Sequence, residues 1–308
     1  NWNLFCKKGK FSIMKIAVHI TFYIDNLKNK KKLNNFNVII NNFLKLTKNT
    51  FIFIHTNNFR FKTNIKNTKV IYHSLTNQDP LRLTWKCREL IFEQQNSFDY
   101  FIYSEDDGVF TKINFNYWLK YKKKLFKLRY NPGFLRTEVS PKTKKLWVVD
   151  QIGQLNKFVS INGSDYIVLD NPYYALWIMD RLTLKKFIQS RFWKLSNWNG
   201  FNSFTKLYDR EKSGVGWHGL NMDYFKATVV PIKKNKIIKE CYFAHQPNKY
   251  VSEKGHIHVS VKNILGKNRE KFNKIKLSKF QILINEIKFF IYWNLRFNLK
   301  NFKKKIKN

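Results

Sequence analysis

The feature that most constrains the fold is a repeated alternation in the first hundred residues. Short runs rich in β-branched and aromatic residues stand at 15–21 (KIAVHIT), 51–55 (FIFIH), 69–73 (KVIYH) and 100–104 (YFIYS). The first reads as a buried strand and the other three as further strands. Between them, residues 35–46 carry Phe36, Val38, Ile39, Phe43, Leu44 and Leu46 near helical spacing, and residues 82–95 place Leu83, Cys87, Leu90 and Ile91 on one helix face. Strands alternating with helices predict an α/β domain around a mostly parallel sheet.

The middle of the chain is less regular. Residues 115–129 read as a basic helix, 133–138 (GFLRTE) as a strand, and 158–161 with 166–169 as a hairpin about Asn162-Gly163, a strong turn dipeptide. Residues 182–190 read as a helix, while 198–202 and 213–219 read as loops. The last segment, 277–308, mixes Ile, Phe, Leu and Trp with Lys and Arg and reads as a basic amphipathic helix. The expected organisation is one catalytic domain over 14–265, with halves 14–110 and 111–265, followed by that helix. Met14 directly precedes the first strand, so residues 1–13 are expected to be upstream read-through or a fragment edge.

Charge narrows the function classes. With 58 Lys+Arg against 20 Asp+Glu, the formal net charge is +38. This invites a nucleic-acid reading, an anionic membrane surface, or a phosphate-bearing substrate. The basic residues are spread along the whole chain, and no zinc-finger, RNP-like or helix-turn-helix signature accompanies them, so no nucleic-acid partner is expected. Drift toward Lys, Asn, Ile and Phe in an A- and T-rich coding sequence would produce the same excess. Acids are therefore scarce, and a run of them is informative. Three widely spaced cysteines, Cys6, Cys87 and Cys241, define no disulfide framework. No apolar run reaches the ~18–20 residues of a spanning helix, and no signal peptide is visible. The expected location is cytoplasmic, peripheral on the inner face of a membrane through 277–308.

The informative run is Glu105-Asp106-Asp107, followed by Gly108, directly after the fourth strand. Ligands of open α/β sheets bind beyond the carboxyl ends of strands. Three adjacent carboxylates there repel one another unless a cation neutralises them. Mg²⁺ and Mn²⁺ favour oxygen ligands and share them with substrate phosphates. The alternative is an acidic turn, since Asp107-Gly108 is a good turn dipeptide.

In its strand context, the run DYFIYSEDDGVF at 99–110 resembles the metal motif of GT-A-fold glycosyltransferases. Their DxD motif has a Glu-Asp-Asp variant, found in the N-acetylglucosaminyltransferase I type. The resemblance covers 14–250, most firmly 14–110. It implies a GT-A-like single mixed-sheet domain and a metal-dependent transferase of the hexosyl or N-acetylhexosaminyl type. Such an enzyme moves a sugar from a nucleotide-sugar donor to a glycan, lipid-linked or protein acceptor, with Mn²⁺ or Mg²⁺ as cofactor. By the same resemblance Asp107 ligates the metal, Glu105 or Asp106 contacts ribose or metal-bound water, and a carboxylate base lies about a hundred residues on. Asp209, Glu211 and Asp223 fall there, with Glu211 preferred over Asp209 beside Ser213-Gly214. His245, between an apolar strand and Pro247, is similar to the C-terminal His that completes the metal shell in several such enzymes.

The other candidates come from placement. Thr21 ends the first strand, where base and ribose would lie, and Arg88 on the second helix could face a diphosphate. The competing readings are a solvated helix charge for Arg88 and core packing for Trp85. Arg136, Glu138, Asp165 and Tyr174, with Tyr173, are the acceptor-pocket candidates. Lys249 could meet phosphate; His256 and His258 alternate in a strand-like run; His55 and His73 end strands with no assigned role. The alternative functions are a basic nucleic-acid-binding protein, or a metal-dependent phosphoesterase or nucleotidyltransferase. The latter is ranked below the transferase because only one tight acidic cluster is evident.

Overall fold

The computed structural model describes residues 14–75, 79–151, 153–195, 209–218, 224–246, 248–251 and 258–272. Residues 1–13, the loop at 198–202, Asp223, His256 and the expected helix at 277–308 lie outside the described residues.

The first sheet has the order β11-β4-β1-β2-β3, formed by β1 (Ile16–Phe22), β2 (Thr50–Thr56), β3 (Thr68–Tyr72), β4 (Tyr100–Glu105) and β11 (Leu176–Asp180). β4, β1, β2 and β3 run parallel, and β11 joins antiparallel to β4. All seven residues of β1 are buried, as expected of a strand covered on both faces. The chain moves from β1 outward to β3 and then returns to the other side of β1 as β4. This reversal opens a crevice between the carboxyl ends of β1 and β4. Thr21 and Glu105 are paired in register at that point.

Helices cover this sheet. α1 (Lys30–Leu44) buries Phe36, Ile39, Ile40 and Phe43, each such side chain contributing roughly 1.5–3 kcal/mol on leaving water. It starts before the apolar periodicity does, because the Asn29 side chain caps the Lys32 amide at 3.0 Å. α2 (Leu83–Glu93) follows a short 3₁₀ turn capped by Asp79. α3 (Lys112–Leu125) has Asn114 reaching back to the Thr111 amide. α4 (Arg181–Gln189) is capped by Asp180.

The expected single mixed sheet is instead three sheets among the described residues. The second, order β13-β12-β10-β9-β16, contains β9 (Leu155–Ile161), β10 (Ser164–Val168), β12 (Ala227–Lys233), β13 (Lys236–Ile237) and β16 (Leu265–Lys271), with β6 (Tyr130–Pro132) beside β12. The third, order β15-β8-β7-β14-β5, contains β5 (Gly108–Val109), β7 (Leu135–Val139), β8 (Leu146–Val149), β14 (Tyr242–His245) and β15 (His258–Ser260). Both mix parallel and antiparallel pairs. One hydrophobic cluster runs through both halves of the chain, from Ile16 to Ile264. The Asn162-Gly163 turn forms with φ of 48° and 71°, the left-handed pair a two-residue hairpin requires.

A further correction concerns residues 213–215. They end a short helix, α5 (Asp209–Val215), rather than forming a loop, and all three are buried. Gly214 lowers helix propensity but allows the helix to approach Tyr173 and Glu105 closely.

Candidate functional site

The acid triplet leaves β4 at the sheet's switch point, and each acid meets a different cation. Glu105, almost fully buried, accepts a hydrogen bond from the Tyr173 hydroxyl at 3.0 Å and faces Arg210 at 3.5 Å. Asp106 pairs with Lys32 of α1 at 3.3 Å. Asp107 pairs with Arg136 of β7 and with His245 of β14, both at 3.2 Å. β14 lies between β5 and β7. The third sheet therefore carries His245 and Arg136 to the turn that follows β4.

His245 is oriented by two carboxylates. Its Nδ1 lies 2.6 Å from Glu138 Oε1, its Nε2 lies 3.2 Å from Asp107 Oδ2, and its ring stacks on Tyr250. Glu138 also accepts the Val251 amide. If Nδ1–H donates to Glu138, the Nε2 lone pair of the neutral ring faces a carboxylate oxygen, and the two atoms need a cation or a proton between them. Burial pulls the His245 pKa down, but the hydrogen bonds to Asp107 and Glu138 outweigh it, so it is raised. A carboxylate–histidine pair aimed at a shared point is also how metal-ligating histidines are held.

Arg136 is a structural clamp. Its Nε donates to Asp150 at 2.7 Å while its NH1 reaches Asp107. Buried between two carboxylates, it stays charged. Asp150 has φ of 71°, a left-handed conformation that costs a non-glycine residue roughly 1–3 kcal/mol. Its backbone carbonyl accepts from Asn171, which is itself tied to Gln151.

The electrostatics are those of an under-neutralised acid cluster. Burial pushes the Glu105 carboxyl up to about 7 against the pull of Arg210, and pushes Asp106 up to about 6 against Lys32. Burial would raise Asp107 too, but Arg136 and His245 outweigh it and hold it well below the ordinary carboxylate range. Five carboxylates (Glu105, Asp106, Asp107, Glu138 and Asp150) meet three permanent cations, Lys32, Arg136 and Arg210. Fully ionised and with His245 neutral, they leave two negative charges, which one divalent ion would offset. Among the described residues, no three His, Cys, Asp or Glu side chains converge on one point. The donor set on offer is thus the pair Asp107 and His245. The Asp107 carboxylate is the oxygen donor that Mg²⁺ or Mn²⁺ favours, with shells completed by phosphate oxygens and water, while His245 offers a nitrogen donor.

The remaining candidates divide. Thr21 lies at the crevice beside Glu105. Arg88 is neither solvated nor aimed at the acids: it is boxed by Trp85, Trp177, Phe187 and Trp193 at 4.6–5.6 Å and donates to the Ser213 carbonyl. Burial pulls its pKa down to about 10. Trp85 donates its indole N–H to the Asp209 carbonyl. Asp209 pairs with Lys212 and Arg82. Glu211 follows Arg210 on α5 and is half-buried. Tyr174 is buried, with its hydroxyl 3.0 Å from His218. Asp165 accepts from Ser160 in the second sheet and lines a groove there. Lys249 lies over the Tyr250 ring, and His258 lies edge-on to Trp147. His55 and His73 join His19 in a hydrogen-bonded row across β1, β2 and the end of β3, at 3.1 and 2.8 Å.

Arg210, Lys32 and Asp150 were not among the candidates. Their signal in the sequence is general: buried acids need cations, and Arg210 sits between Asp209 and Glu211. Comparison with models of known protein families and with curated proteins finds no match for this chain.

Proposed function

We propose that this chain is a metal-dependent glycosyltransferase using a nucleotide-sugar donor, with the donor site at Glu105-Asp106-Asp107. The observation that carries the reading is His245 Nε2 facing Asp107 Oδ2 at 3.2 Å, with Glu138 holding the opposite ring nitrogen. Its support is the crevice between β1 and β4, where parallel α/β sheets bind nucleotides.

Asp107 and His245 would hold Mn²⁺ or Mg²⁺, and the bound ion would neutralise charge developing on the leaving diphosphate. The chain's own residues do the positioning. Glu138 fixes the His245 ring. Arg136, clamped by Asp150, holds Asp107 in place and ionised. Tyr173 and Arg210 hold Glu105 beside Thr21, where ribose hydroxyls would meet a carboxylate. Lys32 and Arg210 supply positive charge that a diphosphate could share with the acids. Glu211 is the base candidate for an inverting transfer, on the helix that Arg210 ties to the cluster. The acceptor is a glycan, a lipid-linked saccharide or a protein, and 277–308 would bring the enzyme to an anionic membrane surface.

The test is a screen of nucleotide sugars for Mn²⁺-dependent thermal stabilisation, since a ligand that binds only the folded state raises its apparent stability. A hit should be followed by sugar transfer that Asp107→Ala abolishes while the protein stays folded. Full activity in that variant would end the reading. Hydrolysis or nucleotidyl transfer without sugar transfer would favour the phosphoesterase or nucleotidyltransferase alternative.

A further inference from the structure

The second sheet holds a separate concave site. Its two edge strands, β16 and β13, are four positions apart in strand order. Even so, Arg269 of β16 donates to Asn235, in the turn between β12 and β13, at 3.0 Å. A flat sheet cannot bring its edges that close, so this sheet curls into a cup. Against it lies a groove of about 730 Å³ that is open to solvent, within the size range of small-molecule sites.

Four cations line it: Lys233, Lys234, Lys267 and Arg269. The single acid of the lining, Asp165, already accepts from the Ser160 hydroxyl. Half-buried Phe158 and Ile232 also line the groove. Lys234 and Asn235 both adopt left-handed φ, 49° and 55°. The tight turn therefore places two non-glycine side chains at the groove where glycine would be easier. Asn235 ties Arg269 in place, so one guanidinium is positioned rather than free.

We propose that this groove binds a compact phosphate-bearing ligand. A net charge of plus three in so small a volume selects a multiply charged anion, and a guanidinium among ammonium groups suits phosphate oxygens. The Arg269–Asn235 bridge links the two sheet edges, which favours a small ligand over a long strand. The inference stands apart from the reading of the acid cluster.

The experiment uses the full chain at about 0.15 M ionic strength, where distant charges are screened. The groove variant is Lys234→Glu with Lys267→Glu, and the control is Lys45→Glu with Lys48→Glu. All four lysines are exposed, and the charge change is the same. Calorimetric titration with tripolyphosphate, and co-sedimentation with phosphatidylcholine vesicles with and without phosphatidic acid, are the two probes. The groove variant should bind at least about tenfold more weakly while the control is unchanged. Loss with tripolyphosphate alone makes the ligand soluble, loss with vesicles alone makes it a lipid headgroup, and loss with both leaves either source. Equal weakening in groove and control variants, or none with either probe, overturns the proposal.

Discussion

Asp107 and His245 are 138 residues apart in the chain, yet Oδ2 and Nε2 lie 3.2 Å apart at the end of β4. Glu138 supports this pair from behind. Glu138→Gln keeps the shape of the side chain but weakens its grip on the His245 N–H. Loss of such an outer partner typically costs about 10–100-fold in metal affinity. Mn²⁺ titration followed by electron paramagnetic resonance should show that loss in Glu138→Gln. Unchanged Mn²⁺ affinity would separate Glu138 from any metal role.

Two buried arginines should respond oppositely to loss of charge. Arg136 lies between Asp107 and Asp150, so Arg136→Met strands two carboxylates and should cost about 3–5 kcal/mol. Arg88 is surrounded by aromatic rings, and its Nε and NH1 are buried without hydrogen-bond partners. Arg88→Met exchanges a desolvated cation for an apolar side chain of similar reach and should be near neutral or stabilising. Urea unfolding of both variants reads the difference, and equal losses would contradict it.

Gly214 tests how closely α5 must approach the acids. A Cβ there would stand 2.8 Å from Tyr173 Cε2 and 3.1 Å from Glu105 Oε1. Ala is the better helix former by about 1 kcal/mol, but overpacking costs about 1–3 kcal/mol. Gly214→Ala should therefore lower stability by up to about 2 kcal/mol and reduce sugar transfer by displacing Tyr173 from Glu105. A stabilised, fully active Gly214→Ala variant would show that the approach is not needed.

Buried histidines set the acid limit of stability. Burial pulls His19 and His218 down to about 3 from the ordinary 6.5. Below 6.5 the unfolded chain takes up protons that the native state refuses. Stability is therefore retained above that pH and lost as pH falls toward 3. Each histidine should cost about 2 kcal/mol by pH 5, and His55 is shifted the same way. Thermal unfolding between pH 7.5 and 5 should show a falling Tm. His218→Phe should make that fall shallower, because it removes one imidazole that takes up a proton on unfolding, while the Tyr174 hydroxyl still accepts from Asn131. An equally steep fall in the variant would remove His218 from the explanation.

Local order was legible where local physics decides it. The four parallel strands of the first sheet appear within about a residue of their expected bounds, because runs of β-branched and aromatic residues favour strands. The hairpin at Asn162-Gly163 was legible from its turn dipeptide, whose residues tolerate the left-handed φ that the turn requires. α5 was not, because Ser213-Gly214 reads as a loop until Tyr173 and Glu105 are seen packed against it.

The sequence by itself determined that an acid triplet would leave the end of a buried strand in a chain with few other acids. Strand periodicity and the order of residues along the backbone suffice for that. Which cations meet those acids was decided only by the tertiary structure. With 58 lysines and arginines available, no local pattern singles out Lys32, Arg136 and Arg210. Their pairing depends on how α1, β7 and α5 are carried to the end of β4 by sheets whose strands are distant in sequence. The same holds for His245, which reaches Asp107 because β14 pairs with β5 and β7. Register across a sheet is a long-range property, and it turned a run of acids into a site with a direction.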